Sequence, residues 1–162
     1  MVVHVSEAPE VTDELVSAVH RLLPQLSTSA PALSVAEIDE IVSSPAITLL
    51  VARDDEVQID GDGFEVAAGE SGHGPIVGML TLVVFRIPTG IRAWIEDVVV
   101  DSAAGQRGAG EALTRAALEL AGELGAQTVD LTSRPSREAA NRLYQKVGFE
   151  ARETNVYRYR SA

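Results

Sequence analysis

An apolar strand that runs through a glycine-rich turn into an amphipathic helix is the feature that most limits the fold of this chain. It occupies residues 95–113, with the sequence IEDVVVDSAAGQRGAGEAL. A helix N-terminus presents unpaired backbone N–H groups and a partial positive charge, and glycines let the main chain close around a phosphate. The stretch therefore predicts a strand–turn–helix unit that binds a pyrophosphate.

The turn alone does not identify the ligand. It is not the dinucleotide-binding fingerprint, because the third glycine of that motif would fall at Leu113. It is not a P-loop either, because no Gly-Lys-Ser or Gly-Lys-Thr is present. The type of cofactor has to come from another part of the chain.

Hydrophobic periodicity predicts the elements around this turn. A first helix begins at Thr12 or Asp13, and Pro24 should close or kink it. A second helix begins after Ser34, where Glu37 completes a capping box, and Val35, Ile38, Ile41 and Val42 would form its apolar face. Two further helices end at glycines, near residues 124 and 147. Strands are predicted at residues 2–5, 47–52, 76–86, 91–100 and 128–131, with one or two more at 149–160.

This order of elements predicts an α/β fold in one domain that spans residues 1–162. The helix between the fourth and fifth strands is a crossover, so these two strands should be parallel. We expect a mixed, mostly antiparallel twisted sheet, with parallel strands 4 and 5 and helices on both faces. Residues 53–75 form a loop, with a short hairpin arm at 64–67. The acidic run 60–63 resembles a calcium loop but lacks the glutamate at its twelfth position.

Composition and charge exclude several classes of partner. The formal net charge of −11 argues against nucleic acid. It is compatible with a cationic substrate such as an amine, and solubility alone is the simpler explanation of it. No apolar run reaches the roughly 18 residues of a membrane span, and the N-terminus lacks the pattern of a signal peptide. The chain has no cysteine and its histidines are scattered, so we expect no disulfide and no metal site, and a cytoplasmic location. The basic residues concentrate between positions 134 and 160, where an anionic cofactor would meet Arg134, Arg137, Arg142, Lys146, Arg152, Arg158 and Arg160.

A second block, REAANRLYQKVGF at residues 137–149, helps to identify the ligand of the glycine-rich turn. Together with the glycine turn it resembles the GNAT superfamily, the N-acetyltransferases that use acetyl-CoA. Gly108 and Gly110 match the family's Arg/Gln-x-x-Gly-x-Gly/Ala turn, and Ala140, Leu143, Tyr144, Gly148 and Phe149 match its second block. The sequence departs from the family at Gly105, where Arg or Gln is usual, and at Arg137, where Asn is usual.

The resemblance implies an acetyl-CoA site and an acetyl transfer to a primary amine of a small molecule or a protein N-terminus. The pantetheine arm would lie along the fourth strand, and the turn would hold the pyrophosphate. Arg137 would contact a phosphate or face solvent, and Asn141 would add a polar contact. The implied cofactor-binding residues are Val98, Val99, Val100, Gln106, Arg107, Gly108, Ala109, Gly110, Glu111, Arg137 and Asn141. Family habit also allows a homodimer through strand 4 and the final strand. The alternative function is a non-catalytic acetyl-CoA-binding regulatory module.

Two residues are the candidate catalytic groups. Tyr144 matches the family position for the acid that protonates the leaving thiolate, and the alternative is a tyrosine that only packs on the sheet. Glu96 is the candidate base, because a carboxylate interrupts an apolar strand there and the string resembles members that act on amino sugars. Asp97 or an ordered water are the other candidates. Strand alternation predicts Glu96 on one face with Trp94 and Val98, and Asp97 on the other with Ile95 and Val99.

Overall fold

Five strands form a single sheet in the spatial order β1-β2-β3-β4-β5 in the computed structural model, which describes residues 3–56, 74–104 and 107–161. All neighbouring strands are antiparallel except β4 and β5, which are parallel. The predicted mixed sheet and its parallel pair are therefore confirmed. The strands are β1 (Val3–Glu7), β2 (Ile47–Asp54), β3 (Ile76–Ile87), β4 (Gly90–Val100) and β5 (Thr128–Asp130).

The helices begin and end where local sequence signals place them. Thr12 caps the first helix by accepting a hydrogen bond from the Leu15 N–H, and Ser34 and Glu37 form the predicted capping box of the second. Gly125, in the left-handed conformation, follows the third helix. The helices are α1 (Asp13–Leu26), α2 (Val35–Ser43), α3 (Ala109–Glu123) and α4 (Glu138–Lys146), with a short 3-10 helix at Ser102–Ala104.

The two faces of the sheet bury different apolar sets. Leu49 and Val51 of β2 pack with α1 and α2 in one core cluster. Because side chains alternate along a strand, Leu50 and Ala52 point to the opposite face, where α3 packs. Gly78 allows this close packing, since a Cβ there would lie 3.2 Å from Cδ1 of Leu113. The helices of residues 3–132 thus cover both faces, as predicted.

Three predictions about the elements need correction. Val35 is 57% exposed and lies outside the apolar face of α2, whereas Ile38 is buried. The loop predicted at residues 53–75 begins after Asp54, because β2 pairs with β1 up to that residue. The predicted strand segments at 149–160 are wrong, because these residues pair with no strand of the described chain, and Tyr157 and Tyr159 remain exposed. The predicted hairpin arm at 64–67 and the acidic run 60–63 lie outside the described residues.

Contacts divide the chain into two units, residues 1–132 and 133–162. The first unit holds the sheet with α1, α2 and α3, and the second holds α4. The prediction of one domain over residues 1–162 stays a prediction. Among the described residues, no helix is both long and apolar enough to cross a membrane.

Candidate functional site

The turn between β4 and α3 places a left-handed glycine directly before the helix. Gly108 precedes α3 with φ of 87°, and no side chain of the described residues caps this helix end. The first backbone N–H groups of α3 are therefore available to an anion. No atom of the described residues would lie within 4 Å of a Cβ at position 108, so this part of the structure leaves space beside the glycine. The predicted contacts of Gln106 lie outside the described residues.

Asp101, at the end of β4, fixes the start of the same turn. Its carboxylate accepts hydrogen bonds from Nε of Arg21 at 2.8 Å and from the Ala103 N–H at 2.9 Å. Arg21 also donates to the carbonyl of Ile76, and Gln25 accepts from the Ser102 N–H. Burial alone would raise the pKa of Asp101, but the hydrogen bonds from Arg21, Ala103 and Gln25 and the positive charge of Arg21 lower it. Helix α1 thus anchors the turn that leads to Gly108.

Arg107 directs its guanidinium to two carboxylates near the end of β2. Its Nη1 lies 3.3 Å from Oε2 of Glu56 and 3.9 Å from Oδ2 of Asp54. Asp54 is fully buried, and its Oδ2 accepts no hydrogen bond within the described residues. The side chain of Arg107 is still 39% exposed, so part of the guanidinium remains accessible to a ligand. The predicted phosphate contact of Arg107 stays a prediction.

The outer edge of β4 is free where the sequence predicts a pantetheine arm. Strand β5 pairs with β4 only at Arg92, Ala93 and Trp94. Beyond Trp94, β4 pairs with β3 alone among the described strands. Its outer backbone groups at Val98–Val100 are thus placed to pair with an extended ligand in the manner of an added strand.

A β-bulge interrupts β4 at the two acidic residues. Thr81 lies opposite Glu96 and Met79 opposite Val99, so Asp97 and Val98 together occupy the position opposite Leu80. Asp97 takes a positive φ of 51°. The extra residue places Val99 on the same face of β4 as Glu96. The prediction that these two side chains lie on opposite faces is therefore wrong. Glu96 and Asp97 are both exposed.

Glu96 shares its face with Trp94, as predicted. The indole Nε1–H donates a hydrogen bond to Oε1 of Glu96 at 2.8 Å. The two-residue spacing of Trp94 and Glu96 on a strand predicts this shared face, but the hydrogen bond itself depends on side-chain conformations that the sequence does not set. The Arg21–Asp101 pair was missed because 80 positions separate its members and no local pattern joins them.

In the second unit, Tyr144 lies on α4 with its ring against Phe149. The ring centroids are 5.8 Å apart in an edge-to-face arrangement. Burial raises the pKa of the Tyr144 hydroxyl, and the charge of Arg137 opposes this shift without cancelling it. The hydroxyl is therefore protonated at neutral pH, the state that a proton donor needs.

The two predicted cofactor contacts on α4 have different local environments. Arg137 precedes the helix and is exposed, so its guanidinium is accessible. Asn141 donates from Nδ2 to the carbonyl of Arg134 at 3.0 Å. This hydrogen bond fixes the chain that leads into α4, so Asn141 has a structural contact whether or not it meets a cofactor.

Comparison with known proteins identifies the class that this fold and turn define. The model of the acetyltransferase (GNAT) family matches residues 29–149, which include the glycine turn and the second block. The chain belongs to the GNAT acetyltransferase family. A search of curated proteins found no match.

Solved structures share the fold over nearly the whole chain. A transcriptional regulator from Bacillus halodurans C-125 is 27% identical, with a TM-score of 0.71 over 98% of this chain and 99% of its own. An aminoglycoside acetyltransferase from an uncultured soil metagenomic sample, in complex with sisomicin, is 17% identical, with a TM-score of 0.74 and coverage of 99% and 96%. The aminoglycoside N-acetyltransferase AAC(6')-Iy in complex with CoA is 15% identical, with a TM-score of 0.70 and coverage of 100% and 98%.

Proposed function

We propose that this GNAT family member is an acetyl-CoA-dependent N-acetyltransferase that acts on a primary amine of a small molecule or a protein N-terminus. The observation that carries the proposal is the start of α3 at the left-handed Gly108, which no described side chain caps, together with the outer edge of β4 at Val98–Val100, where no described strand pairs. Both features suit a ligand with a pyrophosphate and an extended amide arm.

The residues present fit acetyl-CoA. The space beside Gly108 and the N–H groups at the start of α3, from Ala109 to Glu111, suit the pyrophosphate, with Arg107 beside them. Gln106 remains a contact that only the sequence predicts. The outer edge of Val98–Val100 suits the pantetheine arm. Arg137 is a further cation for a phosphate, and Asn141 a further polar group. When bound, acetyl-CoA supplies an activated acetyl thioester.

Two side chains would then act as the general base and the general acid of the reaction. An alkylammonium must lose a proton before its nitrogen can attack, and the exposed carboxylate of Glu96 accepts it. Asp97 and an ordered water are the alternatives for this step. As the new C–N bond replaces the C–S bond, the hydroxyl of Tyr144, which its raised pKa keeps protonated at neutral pH, would donate a proton to the departing sulfur. The second N–H proton, released by the acylated nitrogen, would restore the hydroxyl.

A cationic amine is the acceptor that the electrostatics favour. The chain carries a net charge of −11, and Glu96 and Asp97 expose two carboxylates on one strand. One of the similar structures was solved with sisomicin, an aminoglycoside amine. These observations support a polyamine or amino sugar acceptor for this chain.

A non-catalytic acetyl-CoA-binding regulatory module is the second candidate. The similar protein from Bacillus halodurans is described as a transcriptional regulator, and Gly105 and Arg137 depart from the family pattern. This candidate predicts acetyl-CoA binding without turnover.

Thiol release from acetyl-CoA separates the two candidates. The purified full chain is assayed with sisomicin, spermidine and a tripeptide with a free N-terminus, and the N-acetylated tripeptide is the control. Amine-dependent thiol release with at least one acceptor, confirmed by the mass of the acetylated product, is the expected result. Binding of acetyl-CoA with no release above the control would favour the regulatory module.

A further inference from the structure

A single hydrogen bond joins the only tryptophan of the chain to the candidate base. Nε1 of Trp94 donates to Oε1 of Glu96 at 2.8 Å, and the indole has no other polar atom. Among the described residues, Oε2 of Glu96 accepts no hydrogen bond. One oxygen of the carboxylate is thus held, and the other is available.

Trp94 and Glu96 belong to parts of the sheet that differ in backbone support. Trp94 pairs with Val83 of β3 on one side and with Asp130 of β5 on the other. Among the described strands, it is the last residue of β4 that has a neighbour on both sides. Glu96 pairs only with Thr81, and the bulge at Asp97 follows directly. The backbone of Trp94 is therefore held between β3 and β5, whereas Glu96 lies beyond the last residue of β4 that pairs with β5.

An exposed glutamate without such a restraint would sample many rotamers, since three side-chain bonds rotate freely. A general base acts only when its oxygen is within hydrogen-bond reach of the proton that it removes. We propose that Trp94 is a positioning residue that orients the Glu96 carboxylate toward the acceptor amine through its indole N–H. This inference rests on the proposed function, in which Glu96 is the base.

The N–H group can be removed without changing the ring. Because Trp94 is the only tryptophan, biosynthetic incorporation of β-(3-benzothienyl)alanine replaces the N–H by sulfur at this position alone. We expect kcat for thiol release with the fastest amine of the panel to fall about tenfold, a part of the factor that a general base contributes. The KM for acetyl-CoA should stay within about twofold of the wild-type value. The replaced N–H group donates to Glu96 and not to the outer edge of β4, where we expect the cofactor.

A double-mutant cycle then tests whether Trp94 acts through Glu96. In a Glu96→Gln background the same replacement should cause no further loss, since the base is already absent. Phe85→Leu removes an aromatic ring on β3 two cross-strand pairs away from Trp94 and should leave turnover unchanged. Equal losses in the wild-type and Glu96→Gln backgrounds would overturn the positioning role.

The hydrogen bond between Trp94 and Glu96 can also be detected by NMR without an amine substrate. The indole N–H gives one cross-peak in a ¹H–¹⁵N spectrum, and Glu96→Ala should shift it while Asp97→Asn, the neighbouring carboxylate, should not. An unshifted cross-peak in Glu96→Ala would overturn the proposal. Full turnover of Glu96→Gln would show that Glu96 is not the base and that Trp94 does not act through it. The proposed N-acetyltransferase function would be unaffected, because it is tested by acetyl-CoA binding and amine-dependent thiol release.

Discussion

At the scale of single residues, Tyr144 is the proposed acid that protonates the leaving thiolate. Tyr144→Phe keeps the ring that meets Phe149 and removes only the hydroxyl. We expect kcat for thiol release to fall about 100-fold or more, because a positioned proton donor contributes about this factor. The Kd for acetyl-CoA, measured by calorimetry, should not change. Unchanged turnover in this variant would remove Tyr144 as the acid.

Gly108 is the residue on which the turn depends. Its φ of 87° lies in the left-handed region, and none of the residues that the structure describes comes within 4 Å of the Cβ that a substitution would add. Gly108→Ala should therefore lower the free energy of unfolding by about 1–2 kcal/mol through backbone strain alone. Gly108→Asn is the matched control, because asparagine tolerates this conformation and should cost less. Both variants add a side chain beside the helix end and should weaken acetyl-CoA binding. Urea unfolding and calorimetry measure the two effects, and equal stability of the Ala and Asn variants would contradict the role of strain.

At the scale of elements, the Arg21–Asp101 pair joins α1 to the turn after β4. The side chain of Asp101 is 5% exposed and that of Arg21 is 30% exposed. Arg21→Met should lower the free energy of unfolding by about 1.5–3 kcal/mol, the usual range for hydrogen bonds to a charged group. Urea unfolding at neutral pH measures the loss.

The same pair predicts a pH dependence of stability. The pKa of Asp101 is lowered in the folded chain from its ordinary value of 3.8. The stabilisation is therefore complete above that value and is lost as pH falls through the lower folded value. The difference in unfolding free energy between wild type and Asp101→Asn should be constant near neutral pH and shrink below about pH 4. Asp39→Asn, at an exposed site on α2, is the control. A difference that grows with acid would contradict the lowered pKa.

For the whole molecule, the sequence predicted the elements whose signals are local. Ser34 and Glu37 cap α2, Gly108 and Gly125 bound α3, and the crossover made β4 and β5 parallel. Each of these follows from residues within one or two turns of chain or from the order of neighbouring elements. The parallel strand pair and the position of the glycine turn could therefore be predicted from the amino-acid sequence.

Features that depend on pairing between distant segments could not be predicted in this way. The bulge at Asp97 arises from the register of β4 against β3, which the sequence of β4 alone does not set. Arg21 and Asp101 meet only in the folded chain. Residues 149–160 show the opposite case, since a segment predicted as a strand forms none without a neighbour to pair with.

The most direct test of the account is the thermal unfolding of the full chain with and without acetyl-CoA. A ligand at about 100 times its Kd adds about 2.7 kcal/mol, so Tm should rise by about 5–10 °C for a chain of this size. We expect a shift of this order with acetyl-CoA and none with adenosine. No shift at millimolar acetyl-CoA would contradict the claim that the turn at Gly108 binds this cofactor.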